Sequence, residues 1–177
     1  VVRDDGDPRG SGNGQPSAPQ RVDLVVTQGN AAPAISPIPD QAVDEGAPLS
    51  LALRATDPNP DQQLTWRLLV APPGATIDPA TGEFSWTPDS PTGEPVQVVV
   101  EVRDDGPNRL PDVAGFTIRA RNVAPVASVA GPGTAQPGSA LTLSLSASDA
   151  GGIASWRIAW GDGSSVTLPS DATEAQH

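Results

Sequence analysis

The strongest constraint on the fold of this chain is a sequence repeat with a period of about 92 residues. Four blocks recur in the same order: 2–6 with 102–106, 29–35 with 121–127, 47–57 with 139–149, and 66–67 with 156–157. Because four matched blocks in one order are hard to obtain by chance, the repeat is real. A unit of this length is too long for a helical or leucine-rich solenoid repeat.

Alternating apolar residues predict that each unit is built from β-strands. Residues 49–55 alternate apolar with polar or small side chains, which is the period-two pattern of a half-buried strand. Similar stretches are 66–68, 98–102, 116–118, 141–147 and 156–160. Turns rich in Pro, Gly, Asp and Asn separate them, and helical periodicity is nearly absent. We therefore predict an all-β fold of tandem immunoglobulin-like Greek-key β-sandwiches, since the unit has the size of one such sandwich.

The matched blocks divide the chain into one complete and two partial units. Residues 1–30 are predicted to be the C-terminal hairpin of a preceding repeat, and residues 31–123 one complete repeat. Residues 124–177 are predicted to be the N-terminal half of a third. The chain starts at Val1 and contains no Met, so we expect it to be a piece of a longer protein.

Charge and cysteine content exclude several classes of partner. The chain has 21 acidic and 10 basic residues, giving a net charge of −11, and every base is Arg. A strongly acidic chain without a basic stripe is a poor ligand for nucleic acid or an anionic membrane, but a reasonable one for divalent cations. The absence of cysteine excludes disulfides and cysteine-based zinc sites. No apolar run is long enough to span a membrane.

The sequence offers no supported catalytic site, and we expect that the chain is not an enzyme. The single histidine, His177, is the last residue, so the serines have no base placed to activate them. Asp162 lies in a Gly-Asp-Gly hairpin signal. A pair of carboxylates at Asp57 and Asp104 could be imagined at a glycosidic bond, but nothing supplies a cleft. The four tryptophans read as core residues rather than a sugar-stacking surface, because their period-two partners are apolar.

Several blocks of the middle unit resemble known repeats. Pro72-Pro-Gly-Ala75 and Thr81-Gly-Glu-Phe-Ser-Trp-Thr-Pro88 are the specific ones, supported by Ile38–Gly46, Val102–Gly106 and Asn122–Pro125. On these blocks, residues 31–123 closely resemble the Putative Ig and dystroglycan-type cadherin-like repeats of large bacterial surface and secreted proteins.

The flanking units carry weaker resemblances. Residues 124–177, with Asp149, Trp156 and the Trp160-Gly-Asp-Gly-Ser164 block, resemble the first half of a PKD domain. Residues 1–30 resemble the tail of another cadherin-like repeat.

Together the resemblances imply a non-catalytic module of an extracellular or cell-surface protein. It would act as a calcium-stiffened stalk or adhesion domain, with neighbouring repeats, another cell-surface protein or a glycan as partners. The alternative is a carbohydrate- or protein-binding accessory domain of a secreted hydrolase.

Acidic and amide residues are predicted to meet at the first joint between units. In a seven-stranded sandwich, the loops after the second and sixth strands lie at the same end, where the linker also enters. These segments carry Asp57, Asn59, Asp61, Asp104, Asp105 and Asn30. Oxygen ligands of this kind suit calcium. The same residue types also make ordinary turns without metal, so that reading stays open.

The resemblance implies a second, weaker calcium site at the next joint. Glu45 begins the second strand at the opposite end of the sandwich, and Asn122 and Asp149 would join it there. The third unit departs from the pattern, because Pro137 stands where Glu45 would recur and Ala150-Gly151-Gly152 replaces a Pro-Asn-Pro run. These changes remove most of the ligand set from the third unit.

The two partial units are predicted to be poorly ordered unless they pair with each other or between molecules. Half a sandwich buries too little apolar surface to offset its chain entropy. Proton NMR of the chain should therefore show dispersed amide signals for 31–123 and collapsed ones for the ends. A single, uniformly dispersed set of amide signals would contradict this prediction.

Overall fold

A computed structural model describes residues 29–177 of the chain. The predicted hairpin at 1–30 therefore lies almost entirely outside the described residues. Fourteen β-strands and no helices are found in the described part. The strands are β1 Ala34–Ile35, β2 Gln41–Asp44, β3 Leu49–Ala52, β4 Ala55–Thr56, β5 Thr65–Val70, β6 Thr76–Ile77, β7 Glu83–Trp86, β8 Val96–Arg103, β9 Pro111–Arg121, β10 Val126–Ala130, β11 Thr142–Ser148, β12 Ser155–Ala159, β13 Ser165–Pro169 and β14 Glu174–Gln176.

The middle unit folds into two sheets, which confirms the all-β immunoglobulin-like prediction. One sheet has the order β2-β9-β8-β5 and the other the order β3-β7-β6, with the short pair β1-β4 beside it. All pairings are antiparallel except that of β2 with β9, which is parallel. The first strand is thus split, since β1 pairs with β4 and β2 with the other sheet. Pro37 and Pro39 lie at the split, where they lack the N–H groups a continuous ladder needs.

The core of the middle unit lies between the two sheets. Val98, Val100 and Val102 on β8 are completely buried, as are Phe84 on β7 and Ile118 on β9. The Phe84 and Phe116 rings meet edge to face with centroids 5.7 Å apart. Such a pair stabilises the core beyond the apolar area it buries.

The tryptophan prediction holds in the middle unit. Trp66 is 5% exposed and Trp86 6% exposed, and both belong to the core. The Trp86 indole also donates a hydrogen bond of 3.1 Å to the Pro73 carbonyl. That bond explains why the Pro72-Pro-Gly-Ala75 and Ser85-Trp86 blocks occur together, because a buried indole N–H needs an acceptor.

The turn before β7 is set by Asp78 and Gly82. The Asp78 carboxylate accepts hydrogen bonds from the backbone N–H of Thr81 and Ala80, at 2.7 and 2.9 Å, and these bonds, Thr81 first, lower its pKa. Gly82 has φ of +72° and lies against Trp66, whose ring would be 2.9 Å from an added Cβ. A side chain at position 82 would therefore strain the backbone and displace the indole.

Residues 124–177 form two small sheets that bury fewer apolar side chains than the middle unit. Strands β10, β11 and β14 make one sheet, and β12 and β13 make a hairpin. Their buried apolar side chains are Leu145 and Ala175, while Val126 stays 72% exposed.

The core prediction for the other two tryptophans does not hold. Trp156 and Trp160 are half-buried and lie outside the core cluster. Trp160 instead stacks on His177 with ring centroids 4.7 Å apart. So few apolar side chains of 124–177 are buried that the indoles lack a core to join.

Truncation of the central aromatic residue should destabilise the middle unit severely. Phe84→Ala removes a fully buried ring, so we expect the free energy of unfolding to fall by about 3–5 kcal/mol. Urea denaturation followed by tryptophan fluorescence would measure it. Val113→Ala is the control, because Val113 is 50% exposed and should change stability by less than about 0.5 kcal/mol. Equal losses in the two variants would contradict this core assignment.

Candidate metal centre at the first joint

The side chain of Asn30 ties the incoming linker to the two loops at its end of the sandwich. Its Nδ2 donates to the Asp104 carboxylate at 3.1 Å and to the Pro107 carbonyl at 2.7 Å. Its Oδ1 accepts a hydrogen bond of 2.7 Å from Gln62 Nε2. Asn30 thus contacts the β4–β5 loop and the β8–β9 loop at once, as the strand count predicted.

Asp57 and Asn59 provide a second set of hydrogen bonds between the β4–β5 loop and the linker. Asp57 Oδ1 accepts a hydrogen bond of 2.7 Å from the Asn59 backbone N–H. Asn59 Oδ1 in turn accepts one of 2.9 Å from Ala31 N–H, and its Nδ2 donates to the Gly29 carbonyl at 3.3 Å. The Asp-x-Asn spacing therefore makes a turn whose side chains reach back to the linker.

Asp104 is the buried acid of the joint, with only 3% exposure. Its Oδ1 accepts hydrogen bonds from the backbone N–H of Gly106 and Leu110, at 3.1 and 3.0 Å. These bonds fold the loop after β8 over the carboxylate. A Cβ at Gly106 would overlap Asn30 Oδ1 and the Gln62 amide, so the glycine lets the linker approach the loop.

The structure brings four of the six predicted residues of the first joint into one hydrogen-bonded cluster. They are Asn30, Asp57, Asn59 and Asp104. Asp61 is exposed and, within residues 29–177, takes no part in the bonds that form the joint. Asp105 is also exposed, and its Oδ1 accepts a hydrogen bond of 2.9 Å from Gln63 N–H.

Gln62 is the member of the joint that the sequence reasoning missed. It lies in the same loop as Asp57 and donates to Asn30, a residue 32 positions earlier in the chain. Its amide carries an oxygen ligand as suitable for calcium as that of Asn59. The ligands predicted from the sequence were acids and asparagines only, although the position of Gln62 in the β4–β5 loop indicates the same role.

Two oxygen atoms at this joint are buried without a hydrogen-bond partner, namely Asp57 Oδ2 and Gln62 Oε1. A buried acceptor without a donor costs free energy, and the cost is greater when the acceptor is a carboxylate. A cation would satisfy either oxygen, so the types of ligand present are compatible with calcium. Within residues 29–177, no group of three or more His, Cys, Asp or Glu side chains is placed to hold a metal. A ligand set here would therefore combine carboxylate with amide and carbonyl oxygens.

At the second joint, Glu45 links the middle unit to the chain that follows it. It is 5% exposed, and its Oε1 accepts a hydrogen bond of 2.7 Å from Val123 N–H. Its Oε2 is buried and has no partner. Gly151 lies directly against this oxygen, and a Cβ there would overlap it.

The other two residues predicted for the second joint make local contacts. The Asn122 side chain is exposed and donates to the Val123 carbonyl at 3.2 Å. Asp149 accepts a hydrogen bond of 3.2 Å from Gly151 N–H, two residues along the chain. Of the three residues predicted for the second joint, the structure therefore places only Glu45 against the following unit.

A third cluster, which the sequence reasoning also missed, lies on the outer face of the four-stranded sheet. Glu101 on β8 is 6% exposed and accepts hydrogen bonds from Arg67 Nε at 2.7 Å and Nη2 at 3.0 Å. Arg103 donates to the same carboxylate at 3.2 and 3.3 Å. Hydrogen bonds from Arg67 and then Arg103 lower the pKa of Glu101 to about 2. Arg67 and Glu101 are cross-strand partners, which was the available signal.

Asp162 and Ser164, between β12 and β13, lie together with His177, which follows β14. Asp162 accepts from the Ser164 hydroxyl at 2.7 Å and lies 2.9 Å from His177 Nε2. The Ser164 bonds, and to a lesser extent His177, lower the Asp162 pKa to about 2. In a nucleophilic triad the histidine lies between serine and acid, whereas here the acid lies between the other two. Asp162 thus organises a turn, as predicted.

A match to a protein family supports the immunoglobulin-type assignment of the middle unit. Residues 32–119 match the model of the family described as "Putative Ig domain". The protocadherin GammaB4 extracellular domain aligns at 15% identity and a TM-score of 0.43, covering 80% of this chain and 27% of that one. The human desmocollin-1 ectodomain aligns at 16% identity and a TM-score of 0.43, covering 80% of this chain and 34% of that one. Drosophila N-cadherin EC1-4 aligns at 18% identity and a TM-score of 0.42, covering 80% of this chain and 40% of that one.

The chain thus spans between about a quarter and two fifths of the length of these structures. No curated protein sequence matches it. In the part of the chain that the structure describes, no helix has the length and apolarity needed to cross a membrane.

The Glu101 cluster should make stability depend on acid. Because folding lowers the pKa of Glu101 from 4.5 to about 2, its stabilising effect is complete above pH 4.5 and is lost as the pH falls towards 2. Glu101→Gln should remove this part of the pH dependence and lower the free energy of unfolding at pH 7 by about 1–2 kcal/mol.

Urea denaturation of both proteins between pH 7 and pH 2 would measure the effect. Glu94→Gln is the matched control, because the Glu94 carboxylate is 94% exposed. Identical acid profiles for Glu101→Gln and the unsubstituted protein would contradict the assignment.

Proposed function

We propose that this chain is part of an extracellular tandem-repeat stalk or adhesion segment, and that calcium bound at the first joint stiffens it. The observation that carries the proposal is the pair of buried, unpartnered oxygens, Asp57 Oδ2 and Gln62 Oε1, on the loop that clasps the linker. The Putative Ig match of residues 32–119 supports a repeat module of this class.

The first-joint residues divide the binding of the ion between them. Asp57 and Gln62 would supply the free oxygens, and Asp104 the buried negative charge that attracts a cation. Asn30 and Asn59 hold the linker against both loops and can offer amide oxygens. Asp61 and Asp105, exposed on the same loops, add negative charge around the site.

Stiffening follows from which parts of the chain the ion would join. Without an ion, the linker at 29–31 is held to the loops by neutral and charge-assisted hydrogen bonds such as that of Asn30 to Asp104. Calcium has six to eight ligands and would join the same segments with stronger bonds. Because less conformational freedom remains at the linker, the angle between successive units becomes fixed.

For the second joint we propose a weaker site anchored by Glu45 Oε2. This oxygen is buried and unpartnered, so it can accept an ion at the contact between the units. Asn122 and Asp149 would join it only by giving up their present contacts with Val123 and Gly151. That exchange makes the second site weaker than the first.

The proposed function is non-catalytic. In the described part of the chain, His177 contacts the Asp162 carboxylate rather than a nucleophile, and the acids of the first joint hold loops and linker. The neighbouring repeats of the chain are the proposed partners at each joint, and the proposed location is the cell surface or extracellular space.

Calcium should raise the melting temperature. Extracellular sites of this kind bind at roughly 0.1–1 mM, so 10 mM calcium should add about 1.4–2.7 kcal/mol. A melting-temperature rise of at least about 5 °C follows for a unit of this size. Differential scanning calorimetry with calcium, set against an EDTA sample, measures it.

Asp57→Asn tests the site itself. It keeps an oxygen for the Asn59 N–H but replaces the unpartnered oxygen with an amide group, so the calcium response should disappear while stability in EDTA is kept. The exposed Asp89→Asn is the matched control and should retain the full response. The proposal fails if calcium does not shift the melting temperature, or if Asp57→Asn responds like Asp89→Asn.

A further inference from the structure

A polar groove of about 470 Å³ opens on the outer face of the four-stranded sheet. Its lining residues are Thr65, Arg67, Glu101, Arg103, Asp104, Asp105 and Arg109. Three of the ten arginines of a chain with a net charge of −11 thus lie around one groove. No aliphatic or aromatic side chain is part of the lining, so the groove is suited to a hydrophilic ligand.

The guanidinium groups of the groove keep hydrogen-bond donors free. Arg67 and Arg103 each direct Nε and Nη2 at Glu101, which leaves each Nη1 without a partner in that cluster. Their side chains are 60% and 40% exposed, whereas that of Glu101 is 7% exposed. Glu101 therefore fixes both guanidiniums in position while presenting little negative surface of its own.

Arg109 is held at the groove by an unusual backbone. Asn108 and Arg109 have φ of +70° and +46°, a conformation that residues with side chains rarely adopt. Asp104 fixes the loop by accepting from Gly106 and Leu110 N–H. Residues in such conformations cluster at binding sites, where the surrounding structure over-determines them.

The acids that line the groove already accept hydrogen bonds from the protein. Asp104 is buried and accepts three hydrogen bonds, from Gly106, Leu110 and Asn30. Asp105 Oδ1 accepts one from Gln63 N–H. Although formal charges in the groove balance, the free hydrogen-bonding capacity is mainly that of arginine donors. Planar, forked donors of this kind match a carboxylate.

We propose that this groove binds the carboxylate of a uronic acid unit in an acidic polysaccharide. The size of the groove lies within the range of small-ligand sites. Protein partners, in contrast, bind mainly through buried aromatic and apolar contacts, and this groove offers none. Exposed Thr65 and Asp105 can bond the sugar hydroxyls, while Arg67, Arg103 and Arg109 receive the carboxylate.

Asp104 and Asp105 line the groove and also belong to the first joint, but the proposed contacts of the carboxylate with Arg67, Arg103 and Arg109 need no calcium, so binding is tested in EDTA. Isothermal titration calorimetry of the full chain with an oligogalacturonate should show saturable binding. Arg109→Gln should weaken that binding by about tenfold or more, because a charge-assisted bond to the carboxylate is lost. Arg157→Gln, with the same change in charge on the last unit, should bind like the unsubstituted protein. Melting temperatures of both variants verify that each is folded.

Four results would overturn the proposal. One is equal binding of the methyl-esterified, uncharged oligosaccharide, because the carboxylate would then play no part. Another is equal weakening by Arg109→Gln and Arg157→Gln, which would indicate diffuse attraction between charges. A third is the absence of binding at 10 mM sugar. The fourth is tighter binding of an oligoglutamate peptide that Arg109→Gln abolishes, which would assign the groove to an acidic protein partner.

Discussion

The burial of alternate side chains on β8 determines the positions of the core, the polar groove and the first joint. Along β8, Val98, Val100 and Val102 point into the core and are completely inaccessible to solvent. Because side chains alternate across a strand, Glu101 and Arg103 must then face outward, where they form the polar groove. The strand ends beside Asp104, which folds the next loop against the linker. Core, groove and joint therefore share one register, and a shift by one residue would destroy all three.

The joint shows how a turn and a ligand site can use the same residues. Asp57, Asn59 and Asp104 make the backbone hydrogen bonds expected of turn formers, so these turns need no metal to form. What ordinary turns do not need is a carboxylate oxygen and an amide oxygen buried without donors. These two atoms, rather than the number of acids, distinguish a candidate site from a set of turns. Side chains with unmet hydrogen bonds are costly, and a cation is a direct way to satisfy them.

Sequence periodicity predicted the two sheets because alternation along strands is a local signal that every residue of the strand carries. It also placed the β4–β5 and β8–β9 loops at one end, since strand order fixes which loops are neighbours. It could not separate Asp57 from Asp61, because spacing within a loop does not say which side chain points inward. Gln62 and Glu101 were missed for a related reason: their partners, Asn30 and Arg67, are 32 and 34 residues away in the sequence.

The contact at the second joint has a consequence for how the units are ordered. Gly151 lies against the Glu45 carboxylate, and Ala150 Cβ is 2.9 Å from where a Cβ on Gly46 would be. The Ala150-Gly151-Gly152 run, which differs from the corresponding loop of the middle unit, thus has the small residues that the contact with Glu45 and Gly46 requires. A Pro-Asn-Pro run at 150–152 would place a Cβ at position 151 that overlaps the Glu45 carboxylate. Exchanging residues 150–152 for the loop of the middle unit would therefore be penalised at this contact.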